Sequence, residues 1–239
     1  MFAMFTMFRS ASLILVLFSC ASLPGQEVQT QAELAKKPPY ERMLKGADLA
    51  KAQELQKKYQ VSMDARKFAE AKKFAEELLA LRTRIQGADH WLVTDARSKL
   101  ADVEIYGKLK PEALAELAYA RELYQSSSGF YQKGQFAASA ELYEQVVTIR
   151  KKNLNENHPA YATSLNNLAL VYHSMGEYAK AETLYLQTRD LEKKLRGENH
   201  PAYATSLNNR AALYRSMGEN AKAEPLYLKA RDLRKNLRG

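Results

Sequence analysis

The chain has 239 residues, of which 46% are hydrophobic and 26% are charged. This is the composition of a folded protein, and it excludes a collagen-like or a wholly disordered chain. Glycine and proline number only 10 and 7, which leaves few turns for an all-β fold. The formal net charge is +9, but no run of five like charges occurs, as expected where lysine and arginine coat the outer faces of long helices.

Residues 1–25 are predicted to be an export signal. Arg9 precedes the apolar stretch 10–23, whose uncharged core is much shorter than the roughly 20 residues that cross a bilayer. The only cysteine, Cys20, ends this core in a context that resembles a bacterial lipoprotein processing box, which would make it a lipidation site. Cleavage after Ala21 with soluble secretion is the alternative, and an uncleaved anchor is a third. We therefore expect a secreted or periplasmic, envelope-located protein, anchored to the membrane through its N-terminus if Cys20 is lipidated.

The segment that follows is predicted to begin with a tether, residues 26–39, and to continue with degenerate helical repeats, residues 40–110. Residues 68–90 match residues 136–158 through the phenylalanine that begins each segment and the histidine that ends it. Both pairs share one offset, since 136 − 68 = 68 and 158 − 90 = 68. We interpret this match as an echo of the more regular pattern that comes later in the chain.

A sequence repeat with a period of 42 residues dominates the C-terminal half. The ten residues that begin at His158 recur unchanged from His200 (200 − 158 = 42), and segments 156–197 and 198–239 differ at ten positions. A period of this length is typical of a helical solenoid. In each unit a His-Pro pair predicts the start of a helix, since proline lacks an N–H that has no partner there anyway. A glycine predicts the turn into a second helix, and residues 111–155 carry the same pattern in diverged form.

These units resemble the tetratricopeptide repeat (TPR) family, in particular its long, kinesin-light-chain-like variant with 42-residue repeats. The resemblance implies an all-α fold: an α-α superhelix, or TPR-like helical-hairpin solenoid, after the N-terminal signal segment. It divides the array into units 111–155, 156–197 and 198–239. In the last unit, the matching residues are Gly197, His200, Pro201, Leu207, Asn208, Asn209, Ala211, Tyr214, Gly218, Ala223, Glu224, Leu226 and Tyr227.

The resemblance also implies a function. In this family, the first helix of each repeat lines a concave groove that binds a protein or peptide, so we expect a non-catalytic interaction or scaffold module. Asparagine suits such a groove because its amide both donates and accepts hydrogen bonds. The expected partner-binding residues are Tyr124, Tyr131, Thr163, Asn166, Leu170, His173, Thr205, Asn208, Ala212 and Arg215.

Catalytic and metal-binding interpretations are weaker. His158 and His200 lie one period apart, but the proline after each of them makes helix entry a better explanation than metal binding. The sequence contains no HExxH motif, no glycine-rich phosphate loop and no GxSxG motif. We therefore predict a protein that is not an enzyme and that has no cofactor and no metal site.

Three other interpretations stay open. The chain could be a regulatory or targeting fragment of a larger multidomain protein. It could be a basic solenoid that binds nucleic acid, although an exported protein rarely meets nucleic acid, so none is expected as a partner. It could also associate with itself through its C-terminal end, because Gly239 is the point at which another His-Pro repeat would begin.

Overall fold

A computed structural model of the protein describes residues 30–238, which contain ten α-helices and one 3-10 helix, and no strand. The predicted signal segment and Cys20 lie outside these described residues. None of the described helices is long and apolar enough to cross a membrane. The helices are α1 (Gln31–Ala35), α2 (Gly46–Asp64), α3 (Phe68–Gln86), α4 (Trp91–Tyr106), α5 (Pro111–Gln132), α6 (Phe136–Leu154), α7 (Pro159–Ser174), α8 (Tyr178–Arg196), α9 (Pro201–Ser216) and α10 (Asn220–Arg238), with the 3-10 helix at Pro39–Arg42.

The last six helices pair as α5–α6, α7–α8 and α9–α10, and the pairs stack in chain order. This confirms the predicted all-α helical-hairpin solenoid. Within each pair the turn passes through a glycine with a left-handed backbone: φ is 72° at Gly134 and 79° at both Gly176 and Gly218. Side chains with a Cβ atom rarely adopt this conformation, so glycine at this point of every repeat sets the hairpin turn.

The core of the stack lies where α7, α8 and α9 meet. Ala169 and Ala181 are fully buried there and let the helices approach closely, while Tyr185 fills the remaining space with 0% of its surface exposed. Leu213 of the following repeat completes this cluster. Each repeat therefore buries its apolar side chains partly against its neighbour, as expected in a solenoid.

The N-terminal region consists of α1 to α4, and it corrects one prediction. Residues 31–35 of the expected tether, 26–39, form α1, in which Leu34 is buried. The Gln31 side chain holds this helix against the end of α3, because its amide donates to the Thr83 carbonyl (3.0 Å) and accepts from the Ala88 amide (2.9 Å). The described part of the predicted tether is therefore folded.

The repeat pattern is interrupted between α4 and α5. By the 68-residue offset, α4 corresponds to α7, the first helix of a repeat, and α5 is again a first helix. Two full periods would span 84 residues (2 × 42), so this interval is 16 residues short (84 − 68), close to the length of one helix. A second helix is therefore missing after α4. Within residues 30–238, α5 packs extensively on α6 but has no comparable packing on α4.

Instead of stacking on α5, α4 lies along one edge of the array. Its Asp95 carboxylate is 3.1 Å from Nε2 of His200, at the start of α9. Seven residues later, Asp102 is 3.1 Å from Nε2 of His158, at the start of α7, although this pair is not aligned as a hydrogen bond. The N-terminal region is thus attached to two successive repeats.

Candidate functional site

The ten predicted groove residues all lie on the first helices α5, α7 and α9. Within a helix they are spaced three, four or seven residues apart, which places them on one face. Eight of them are half-buried, whereas Thr205 and Arg215 are exposed. The face is therefore polar and partly open to solvent.

A first row of hydrogen bonds joins successive repeats along this face. The Asn167 amide donates to the hydroxyl of Tyr124 at 2.7 Å, and one period later the Asn209 amide donates to Oδ1 of Asn166 at 2.9 Å. Tyr124, Asn166 and Asn208 occupy equivalent positions in the three repeats. At the last of these, Asn208 meets only the Arg234 guanidinium, at 3.5 Å.

A second row runs parallel to the first. The Tyr131 hydroxyl lies 3.1 Å from the Ser174 hydroxyl, and Nε2 of His173 lies 2.8 Å from the Ser216 hydroxyl. Each serine hydroxyl also donates to a carbonyl of its own helix. Because that proton is already used, Tyr131 and His173 must be the donors. Burial also lowers the pKa of His173, which favours its neutral form.

The remaining predicted residues have different surroundings. The hydroxyls of Thr163 and Thr205 each donate to the proline carbonyl that begins their own helix, at 3.0 Å. Leu170 and Ala212 are half-buried and offer apolar surface between the two rows. Arg215 is the equivalent of His173 but is exposed, and no contact of its side chain occurs within the described residues. Arg215 and Thr205 are thus the most available polar groups of the groove.

The histidines of the His-Pro pairs cap helices, as the sequence predicted. Nδ1 of His158 accepts the Ala160 amide and Nδ1 of His200 accepts the Ala202 amide, each at 3.1 Å. His90, which no proline follows, caps α4 in the same way. Among residues 30–238, no group of three or more His, Cys, Asp or Glu side chains is placed to hold a metal ion.

A cavity of about 670 Å³ lies where the N-terminal region meets the array. It includes Tyr124, so it is continuous with the first row of the groove. The walls come from the ends of α2, α4 and α6, the beginnings of α3 and α7, and the middle of α5. Apolar and polar side chains share the lining, which includes Tyr59, Met63, Asp64, Arg66, Phe68, Asp102, Tyr106, Leu114, Leu117, Arg121, Tyr124 and Arg150.

Sequence similarity identifies the array. Two overlapping segments, residues 128–194 and 166–236, match the family model described as tetratricopeptide repeat. Together they cover the helices α6 to α9 in full and most of α5 and α10 is included only in part. This is a tetratricopeptide repeat protein. The family predicted from the repeat motif is thereby confirmed.

Several solved structures are similar to this TPR protein. The crystal structure of BtubC (BKLC) from P. vanneervenii is 20% identical, has a TM-score of 0.49, and aligns over 81% of this chain and 76% of that chain. A crystal structure of a putative kinesin light chain with nearly identical TPR-like repeats, from Podosopora anserina, is also 20% identical. Its TM-score is 0.46, with 80% of this chain and 96% of that chain covered. No curated protein matches the chain.

The sequence did not reveal the partners of the two hydrogen-bonded rows. Asn167, Asn209, Ser174 and Ser216 had no assigned role, although they recur at the 42-residue period. Each bonded pair is 43 residues apart, which is one period plus one residue. A search for polar pairs at one period plus one residue would have found them. The cavity had no such signal, because it results from an interruption of the repeat.

Proposed function

We propose that this TPR protein is a non-catalytic interaction module that binds a partner protein or peptide along the groove formed by α5, α7 and α9. The observation that carries the proposal is the polar face of the first helices, where exposed Thr205 and Arg215 continue a line of half-buried amides and hydroxyls. Stacked helical hairpins use such extended surfaces to bind other chains. The guanidinium of Arg215 suits a carboxylate on the partner.

The positive net charge does not favour nucleic acid as that partner. Lysines at the ends of the second helices are paired with glutamates of the next loop, Lys151 with Glu156 and Lys193 with Glu198, each at 2.5 Å. Pairing of this kind recurs with the repeat and reduces the local positive potential. A nucleic-acid site would instead need a row of cations free to neutralise phosphates.

Two variants with matched charge change test the groove. Thr205→Glu with Arg215→Glu alters the groove face of α9, while Ala221→Glu with Arg231→Glu alters exposed positions on α10. In a crosslinking pull-down from an extract of the native cells, we expect wild type and the α10 variant to capture the same partner and the groove variant to lose it. Equal capture by both variants, or no capture by wild type, would overturn the proposal.

We also propose that the protein works outside the cytoplasmic membrane, on the basis of the signal-like sequence around Cys20. Metabolic labelling with a radioactive fatty acid should modify wild type and leave the Cys20→Ser variant unlabelled. A wild-type protein that is cleaved but unlabelled would indicate soluble secretion, and the lipid-anchor proposal would then be wrong.

A further inference from the structure

The cavity between α2, α4 and α5 carries positive charge that the protein does not neutralise. Five of its lining side chains are charged. Arg121 is bound by Asp64 at 2.7 Å, and Asp102 lies 3.1 Å from His158. Within residues 30–238, no carboxylate pairs with the other two, Arg66 and Arg150.

Arg150 is the more buried of these two cations. Its Nη1 donates to the Ala160 carbonyl (3.0 Å) and to the Ser164 hydroxyl (2.8 Å), and its guanidinium lies 5.0 Å from the centre of the Tyr124 ring. These groups are neutral, and burial lowers the pKa of the guanidinium. A cation that is partly removed from water without a paired anion is costly, and a ligand carboxylate would offset that cost.

The next repeat shows how this position is normally satisfied. Glu192 lies one period after Arg150 (192 − 150 = 42) and is bound at 2.8 Å by Arg196, one helical turn away. In the repeat that borders the cavity, Leu154 stands at the position of Arg196, so no such internal pair can form. The regular repeat completes its own ion pair, whereas the repeat at the cavity presents a single charge.

Arg66 is unusual because of its backbone. Its φ is 57°, and by the 68-residue offset it stands where the later repeats have Gly134, Gly176 and Gly218 at φ of 72–79°. An L-amino acid with a long side chain is disfavoured in this left-handed conformation, and glycine adopts it freely. Arginine at this turn therefore works against the stability of the fold, yet it places a fully solvated cation at the cavity wall.

We propose that the cavity receives an acidic side chain from the bound segment of the partner protein, with Arg150 and Arg66 as its cationic partners. Met63, Phe68, Leu114 and Leu117 provide apolar surface for an adjoining aliphatic side chain. Tyr124 belongs to both the cavity and the groove, so one extended peptide can reach both. This inference rests on the proposed function, because it names the chemistry of the partner at one end of the same groove.

The test uses two fluorescently labelled peptides, one of alternating leucine and glutamate and one in which glutamine replaces every glutamate. Binding to the full mature chain is measured by fluorescence anisotropy at low and moderate salt. We expect the glutamate peptide to bind and Arg150→Gln to weaken it about tenfold, as for the loss of one partly buried charge pair. Arg97→Gln removes the same charge from an exposed position on α4 outside the cavity and should leave the affinity unchanged.

Arg66→Gly is the more discriminating variant. It should raise the melting temperature, since glycine suits the left-handed turn, and at the same time weaken binding of the glutamate peptide about fivefold. A residue with a purely structural role would not move these two quantities in opposite directions. Equal affinity for the two peptides, no binding of the glutamate peptide at millimolar concentration, or an equal effect of Arg97→Gln would each overturn the inference.

Failure of this inference can be separated from failure of the proposed function. The same arginine variants are used as baits in the pull-down. If Arg150→Gln still captures the partner and the groove variant does not, the groove function stands and the cavity inference is wrong. If neither variant affects capture, both are wrong.

Discussion

The array of residues 111–238 and the N-terminal region of residues 30–106 use similar helices but join their neighbours differently. Inside the array, first helices are linked one period apart by pairs such as Asn209 and Asn166. At the boundary, α4 has no second helix and instead lies along the edge of the array, where Asp95 meets His200. A regular repeat thus satisfies its polar groups through its copy, and an interrupted repeat leaves some of them for other partners.

The largest expected effect tests whether a neighbour repeat supplies the core. Tyr185 is fully buried under α9, whereas its equivalent Tyr227 in α10 is only partly buried. Tyr185→Ala should lower the free energy of unfolding by about 3–5 kcal/mol, because a large side chain leaves a well-packed site. Tyr227→Ala should cost roughly half as much or less. Chemical unfolding followed by circular dichroism compares the two, and equal losses would contradict the stacking account.

Removal of Asp95 tests the attachment of α4 to the array. Asp95→Ala leaves Nε2 of half-exposed α4's partner His200 without its acceptor, which should cost about 1–3 kcal/mol. Amides of α4 should then exchange faster with solvent than those of α7. Asp102→Ala is the comparison, because its contact with His158 is not aligned as a hydrogen bond and its loss should cost less. Unchanged exchange in α4 after Asp95→Ala would show that other contacts hold it.

Acid should loosen the N-terminal region through His90. Burial lowers the pKa of His90 from its usual 6.5, and its Nδ1 accepts the Leu92 amide, so the folded state favours the neutral ring. The stability that depends on this is complete above pH 6.5 and is lost as the pH falls, because the unfolded chain then binds the proton more readily. Melting temperatures at pH 7 and pH 5 should differ less in His90→Asn, which keeps a capping acceptor but cannot titrate. An identical difference in both proteins would contradict this.

The smallest effect concerns the hydrogen-bonded rows. Asn209→Ala removes the bond to Asn166 and should destabilise by about 1 kcal/mol. Asn208→Ala removes only the 3.5 Å contact with Arg234 and should change stability by less than half of that, roughly 0.5 kcal/mol. Thermal unfolding of the two variants gives the comparison. If Asn208→Ala costs as much as Asn209→Ala, the row does not distinguish an internal repeat from the last one.

The sequence predicted the array well because its signals are local. The His-Pro pairs mark the starts of α7 and α9, and Gly176 and Gly218 mark the turns, all within a few residues of the feature that they determine. The fold of these repeats follows from contacts with the next repeat, which the 42-residue period also encodes. The family and the helical-hairpin architecture could therefore be predicted from residues alone.

The N-terminal region could not be predicted to the same extent, because its determining contacts are distant in sequence. His200 and Asp95 are 105 residues apart, and Gln31 is 57 residues from Ala88. No periodicity relates such pairs, so the folded part of the expected tether and the position of α4 were missed. The groove residues were placed on one face by helical spacing, but their bonds between repeats depend on how the hairpins stack.

The most direct test of the groove is to place a photoreactive amino acid at position 215 and, in a second protein, at position 231. Both positions are exposed, the first on the groove helix α9 and the second on α10. After irradiation in native extract, we expect the first protein to crosslink to a partner in good yield and the second to give none above background. Crosslinking of the same partner from position 231 and not from position 215 would contradict the account, since the partner would then bind outside the groove.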